Sequence, residues 1–260
     1  MKTDWRARLK AYHLQQGVYA GTDSEEYQQQ HSAAMEKLRS NRGNTLKPED
    51  FERHYDAIAE DYAKYLLDPE YVESISSAIK RIAEITEGQK IVRVHEAGCG
   101  AGLDVCFLAV HFPEIEFTAS DISEGMLEIA RRRADSLGIR NTRFLKVAHE
   151  NLTPELLGGQ VDLCFAIGAL FYHSEEEFMT HMWGLTSVIN PQGKLVLCTP
   201  GGEYLNALAT VMWIFNCTFD GEIKDSDIVS PLGIGTFTKT SDSDAKTVAM
   251  RLALQSQERW

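Results

Sequence analysis

The stretch Ile91-Val92-Arg93-Val94-His95-Glu96-Ala97-Gly98-Cys99-Gly100-Ala101-Gly102 decides the fold. Its apolar start, Ile91–Val94, reads as a strand, and the run from Leu103 to Val110 that follows reads as a helix. Three glycines between them let the backbone turn sharply and approach a ligand with no Cβ in the way. Nineteen residues beyond Gly102, Asp121 closes a second strand-like run, Phe117-Thr118-Ala119-Ser120. A strand, a glycine turn, a helix and a strand ending in an acid make a nucleoside half-site, the acid offering two acceptor oxygens to a ribose diol.

The dinucleotide fingerprint places its third small residue at position 103, which is Leu103 here; the glycine comes one residue early, at Gly102. Glu96 ahead of the turn repels a pyrophosphate and suits a cationic ligand. Glu96-Ala97-Gly98-Cys99-Gly100-Ala101-Gly102 resembles the E/D-x-G-x-G-x-G signature of class I S-adenosylmethionine-dependent methyltransferases. The likeness continues in the helix His54–Tyr62, the strand Val161-Asp162-Leu163, the segment Gly168–His173 and the turn Asn190-Pro191-Gln192-Gly193. It covers about residues 54–200.

That resemblance implies S-adenosylmethionine as cofactor, S-adenosylhomocysteine as its product, and these roles. Glu96 takes the ammonium or orders the loop. Ala97, Gly98, Cys99, Gly100 and Gly102 form the turn against the methionyl part. Asp121 accepts from the ribose, Ile122 packs on the adenine or simply in the core, and Met126 is a further cofactor-binding residue. Ala148 stands where the family carries an Asp for the adenine amino group, so that contact falls to His149 or Glu150, beside Asn151. Ile167 leads into the loop that passes the sulfonium. Tyr55 and Tyr62 close over the site or simply pack in a core. His173 is the expected acceptor-facing base, or a plain helix-start residue, with Tyr172 beside it.

Alternation of strands and helices implies an α/β, Rossmann-like, doubly wound and mostly parallel sheet with helices on both faces. The expected strands are Ile91–Val94, Phe117–Ser120, Phe144–Val147, Val161–Ala166 and Leu195–Cys198. The expected helices are Leu103–Val110, Glu124–Leu137 and Glu175–Val188. Residues 1–68 read as a helical extension or cap, with a helix start at Thr22-Asp23-Ser24, a break at Gly43-Asn44, and Phe51, Tyr55, Ile58, Ala59 and Tyr62 on one face of a helix opening at Pro48. Residues 69–260 read as the core, opening with a helix at Pro69. Its C-terminal part departs from the family: Glu222–Val229 and Thr236–Lys239 are weak strand candidates, and Asp244–Gln257 resembles a helix.

Bulk properties narrow the partners. A net charge of −12 and no long Lys/Arg run argue against nucleic acid. The longest apolar run, Leu205–Phe215, is too short to span a bilayer. Five cysteines without a C-x-x-C pair fit reduced, buried thiols, hence a cytoplasmic protein. No H-E-x-x-H, Walker or G-x-S-x-G motif occurs, and no metal is expected. The expected function is methyl transfer to a small-molecule acceptor by a monomer or homodimer. The alternatives are a regulatory protein that binds the cofactor without turnover, and a nicotinamide oxidoreductase on a related fold.

Overall fold

The computed structural model describes residues 3–17, 48–170, 175–200, 208–223, 232–242, 244 and 246–251. Among them, α1 (Trp5–Gln15), α2 (Pro48–Tyr65) and α3 (Pro69–Gly88) precede the first strand. Then come β1 (Arg93–Ala97), α4 (Leu103–His111), β2 (Glu116–Asp121), α5 (Glu124–Ser136), β3 (Thr142–Lys146), α6 (Pro154–Leu157), β4 (Val161–Ile167), α7 (Glu175–Ser187), β5 (Ile189–Pro200), β6 (Cys217–Ile223) and β7 (Leu232–Lys239). Short 3₁₀ turns lie at His149–Asn151 and Met212–Phe215.

The seven strands lie in the order β3-β2-β1-β4-β5-β7-β6. β1 to β5 run parallel, and β7 inserts antiparallel between β5 and β6. Strand order reverses between β1 and β4, the crevice where ligands bind on open parallel sheets. The period-2 pleat sorts neighbours onto two faces. Leu163, Phe165 and Ile167 of β4 join a core with α1, α3, α4 and α5, while Cys164 and Ala166 join another with α7 and the Met212–Phe215 turn. All five cysteines are free and buried.

Three expectations need adjusting. β1 begins at Arg93 and runs through His95 and Glu96, beyond the apolar run, because both polar residues are buried. His95 is satisfied there by Thr118 Oγ1 at 2.9 Å and Ser120 Oγ at 3.1 Å. β6 starts at Cys217, ahead of the expected Glu222; a bulge between Phe219 and Gly221 breaks its alternation and hides it from pattern reading. With β7 it supplies the antiparallel pair that had seemed weak. The loop after β3 contains α6, which Thr153 caps with Oγ1 accepting from Leu156 N and Pro154 opens.

Residues 246–251 are helical, with Asp244 accepting from Thr247 N at 2.9 Å. The expected helix start at residues 22–24 and the break at 43–44 lie outside the described residues. Trp5, Leu9 and Tyr12 of α1 are buried in the main core, and Tyr12 Oη donates to the Leu103 carbonyl at 3.0 Å. No described helix is long and apolar enough to cross a membrane.

Candidate functional site

A cavity of about 1250 Å³, measured out to its open mouth, lies at the carboxyl ends of β1, β2 and β4. The β1–α4 turn forms its floor. Gly98, Gly100 and Gly102 all have positive φ, at 73°, 48° and 70°. At Gly98 a Cβ would fall 2.3 Å from Ala169 Cβ and 3.3 Å from His149 Nε2. At Gly102 a Cβ would meet Ala130 Cβ at 2.8 Å, so this glycine lets α5 pack close.

Asp121 holds the turn. Its Oδ2 accepts from Gly100 N at 2.8 Å and its Oδ1 from Ser123 N at 2.9 Å. Burial pushes its pKa up, against these amide bonds. Each oxygen retains acceptor capacity for a ligand. Glu96, only 2% exposed, takes one amide bond from Val105, while its Oε2 has no partner. Asp104, 8% exposed, leaves Oδ1 unpartnered. Burial, and then the neighbouring Asp104 and Asp121, raise the Glu96 pKa. Burial carries Asp104 up to about 7, opposed by Arg133. Orphaned buried oxygens are costly, and a cation placed between them would relieve those of Glu96 and Asp104 together.

α2 roofs the cavity with Phe51, Tyr55, Tyr62 and Leu66. Tyr55 and Tyr62 stack edge-to-face with centroids 5.5 Å apart, and Tyr65 and Tyr71 continue the chain of rings at 5.6 and 5.2 Å. Asp56 fixes the roof: its Oδ1 accepts from Ser123 Oγ at 2.6 Å and Gly125 N at 3.0 Å, tying α2 to the start of α5. The remaining wall is His149 and Glu150 after β3, with Glu177, Thr180 and His181 of α7. Gly184 brings α7 onto this turn, since a Cβ there would lie 1.8 Å from the His149 carbonyl oxygen.

Of the residues expected from sequence, Tyr55, Tyr62, Glu96, Gly98, Cys99, Gly100, Asp121, Ile122, Met126, His149, Glu150 and Ile167 all line this one cavity. Ala97 is not among its lining residues; it is fully buried in the core shared with α7. Gly102 packs against α5, and Asn151 is exposed on the 3₁₀ turn. Tyr172 and His173 lie outside the described residues. Sequence reading missed Asp104, Tyr71, Glu177 and His181. Asp104 had one signal, an acid in the first turn of an otherwise apolar helix. Among the described residues no group of three His, Cys, Asp or Glu side chains is placed to hold a metal ion.

This strand order, with an acidic glycine turn after β1 clasped by the acid ending β2, defines the class I fold of S-adenosylmethionine-dependent methyltransferases. Residues 94–193 match the family model described as a methyltransferase domain, in keeping with a methyltransferase that uses S-adenosylmethionine. An uncharacterized protein of Synechococcus sp. is 32% identical over 104 residues, 40% of this chain and 24% of that protein. The chain thus spans about a quarter of the length of that curated relative.

Solved structures share the fold at low identity. An O-methyltransferase family protein from Burkholderia thailandensis gives a TM-score of 0.61 at 12% identity, covering 89% of this chain and 77% of its own. A magnesium protoporphyrin IX methyltransferase from Synechocystis PCC 6803, with bound SAM, gives 0.60 at 16%, covering 76% and 99%. The N-methyltransferase NodS from Bradyrhizobium japonicum gives 0.51 at 14%, covering 64% and 94%.

Proposed function

We propose that this protein transfers the methyl group of S-adenosylmethionine to a small-molecule acceptor bound in the same cavity. The observation that carries the reading is the trio Glu96, Asp104 and Asp121 around the glycine turn, in a cavity whose described lining contains no Lys or Arg. Three clustered carboxylates, two buried and one half-buried, disfavour a pyrophosphate and favour a ligand bearing an ammonium and a sulfonium. In this reading Glu96 and Asp104 hold the methionyl ammonium with the oxygens they leave unpartnered. Asp121 takes the ribose hydroxyls while keeping Gly100 in place. Ile122 and Met126 flank the adenine. The rings of Tyr55 and Tyr62 offer their faces to positive charge.

When bound, the cofactor supplies a methyl on an already good leaving group. The chain's own work is then alignment and exclusion of water, and positioning of this kind is worth about 7–11 kcal/mol. Residues 1–68 act as a cap in this reading, with α2 as its roof, and the protein works in the cytoplasm. The lack of a basic lining also favours a small acceptor over RNA.

Calorimetric titration with S-adenosylmethionine, S-adenosylhomocysteine and NAD tests the cofactor. Heat with the first two and none with NAD is expected; the reverse selects an oxidoreductase. Transfer of a labelled methyl group into a metabolite pool tests turnover, and cofactor binding with no labelled product selects the regulatory alternative.

A further inference from the structure

The wall formed by His149, Glu150, Glu177, Thr180 and His181 includes His149 and Glu150, to which the resemblance assigns the adenine amino group. Its placement is informative. The His149 ring stands over Gly98, with Nε2 3.3 Å from the point a Cβ would occupy there. That is the turn for the methionyl end, not the Ile122–Met126 side. His149 is 8% exposed, and its ring meets that of His181 edge-to-face at 5.5 Å. His181 Nε2 lies 3.4 Å from Glu150 Oε2, and its Nδ1 is buried with no partner. Glu177 lines the same wall one turn earlier on α7.

The charges are one-sided. Five carboxylates line the cavity: Glu96, Asp104, Asp121, Glu150 and Glu177. No Lys or Arg is among the residues lining the cavity, and Arg133 acts on Asp104 from outside that lining. An anionic acceptor meets like charge in a partly desolvated space, whereas a cation is drawn in. Phe51 and Tyr55 add aromatic faces that favour a cation.

We propose that this end of the cavity takes the methyl acceptor as a protonated amine, with Glu150 and Glu177 drawing in the ammonium and the His149–His181 pair receiving its proton. The proposal rests on the methyltransferase reading. The ammonium gives one proton to an imidazole, which frees the nitrogen lone pair. That pair forms the new N–C bond as the S–C bond breaks, and the S–C electrons stay on sulfur. The product leaves as a methylammonium and the cofactor as a neutral thioether, so charge and atoms balance. Glu150 stabilises the imidazolium so formed.

Burial and then His181, with Glu150 opposing, lower His149 to about 4, so it is neutral near pH 7. His181, with Nε2 3.4 Å from Glu150 Oε2, is the member of the pair placed beside a carboxylate that stabilises an added proton. The hydrogen bond from His181 holds Glu150 below the usual carboxylate range. The ionisable groups around the pair are Glu150 on the same turn, Glu177 on α7 and the buried His95 of β1, which burial lowers to about 3. Asp104, at about 7, changes charge in the same cavity, so the acceptor end is tested at one fixed pH.

The test uses the full chain saturated with S-adenosylhomocysteine and three probes of one skeleton: phenethylamine, 2-phenylethanol and 3-phenylpropionate. Calorimetry at about pH 8 is expected to show the amine binding at least about tenfold tighter than the carboxylate, a gap of about 1.4 kcal/mol. At that same pH, Glu150→Gln and Glu177→Gln are each expected to lower amine affinity several-fold and to leave the affinity for the alcohol unchanged. Preference for the alcohol or the carboxylate, absence of amine binding, or unchanged amine affinity in both variants each overturns the proposal. Absence of S-adenosylhomocysteine binding instead overturns the methyltransferase reading on which it stands.

Discussion

The carboxylate of Asp121 accepts the amide hydrogen of Gly100 at 2.8 Å, so the acid that ends β2 clasps the turn that ends β1. Two neighbouring parallel strands are thereby locked at the crevice where strand order reverses. The same carboxylate reaches Ser123 N at 2.9 Å and so also fixes the approach to α5.

Asp121→Ala removes both anchors and the proposed ribose acceptor. Charge-assisted hydrogen bonds of this kind are worth about 1.5–3 kcal/mol. Calorimetry with S-adenosylhomocysteine is therefore expected to show affinity lower by roughly 10- to 150-fold. Unchanged affinity would show that the nucleoside lies elsewhere.

Gly184→Ala tests the seat of His149. The added Cβ would sit 1.8 Å from the His149 carbonyl oxygen, a backbone atom that cannot swing aside. Overpacking costs about 1–3 kcal/mol. That lowers Tm by a few degrees for a domain of this size, about 2–4 °C per kcal/mol. A Tm unchanged in scanning calorimetry would mean that α7 and the 3₁₀ turn are not in such close contact.

How much of this was legible beforehand depended on whether a residue's role followed from local pattern. Gly98, Gly100, Gly102 and Asp121 could be read because a tight turn and a strand-end acid leave a spacing in the chain. Asp104 could not: an acid in the first turn of a helix is expected from the helix dipole alone, and only packing shows that it faces the cavity. His181 sits in mid-helix, where nothing local separates an exposed imidazole from one paired with Glu150. Ala97 misled in the other direction. It lies within the signature, but the pleat points it to the opposite face from its neighbour Glu96. β6 was obscured by its bulge at Phe219/Gly221.

Asp56→Ala tests the tie between roof and core. Asp56 caps α5 from another helix, accepting from Ser123 Oγ and Gly125 N. Loss of a capping side chain costs about 0.5–2 kcal/mol, and the exposure of Asp56 places it at the lower end. Burial raises its pKa slightly, but the bonds from Ser123 and Gly125 outweigh this and the net shift is downward. Its contribution is therefore present above the unfolded-state carboxylate pKa and lost as pH falls through the lower folded value. Urea unfolding is expected to show the wild-type advantage over Asp56→Ala at pH 7 shrinking below about pH 4. A constant difference across that range would assign the effect to packing alone.

The buried histidines set the acid limit of the fold. Burial lowers His13 and His149 to about 4 and His95 to about 3. In the unfolded chain each titrates near about 6.5, so the unfolded state binds more protons throughout the interval. Their contribution to stability then falls as pH drops below about 6.5 and continues to fall to the folded values. Asp104, raised to about 7, and Glu96, also raised, act in the opposite sense over the same interval, so the histidine contribution is read by comparing the urea midpoints of a variant with those of wild type. His95→Gln is such a variant. Glutamine can still bond Thr118 and Ser120 but does not titrate, so the variant is expected to lose less stability than wild type over the same interval. An equal loss would mean that His95 is not held neutral between those two hydroxyls.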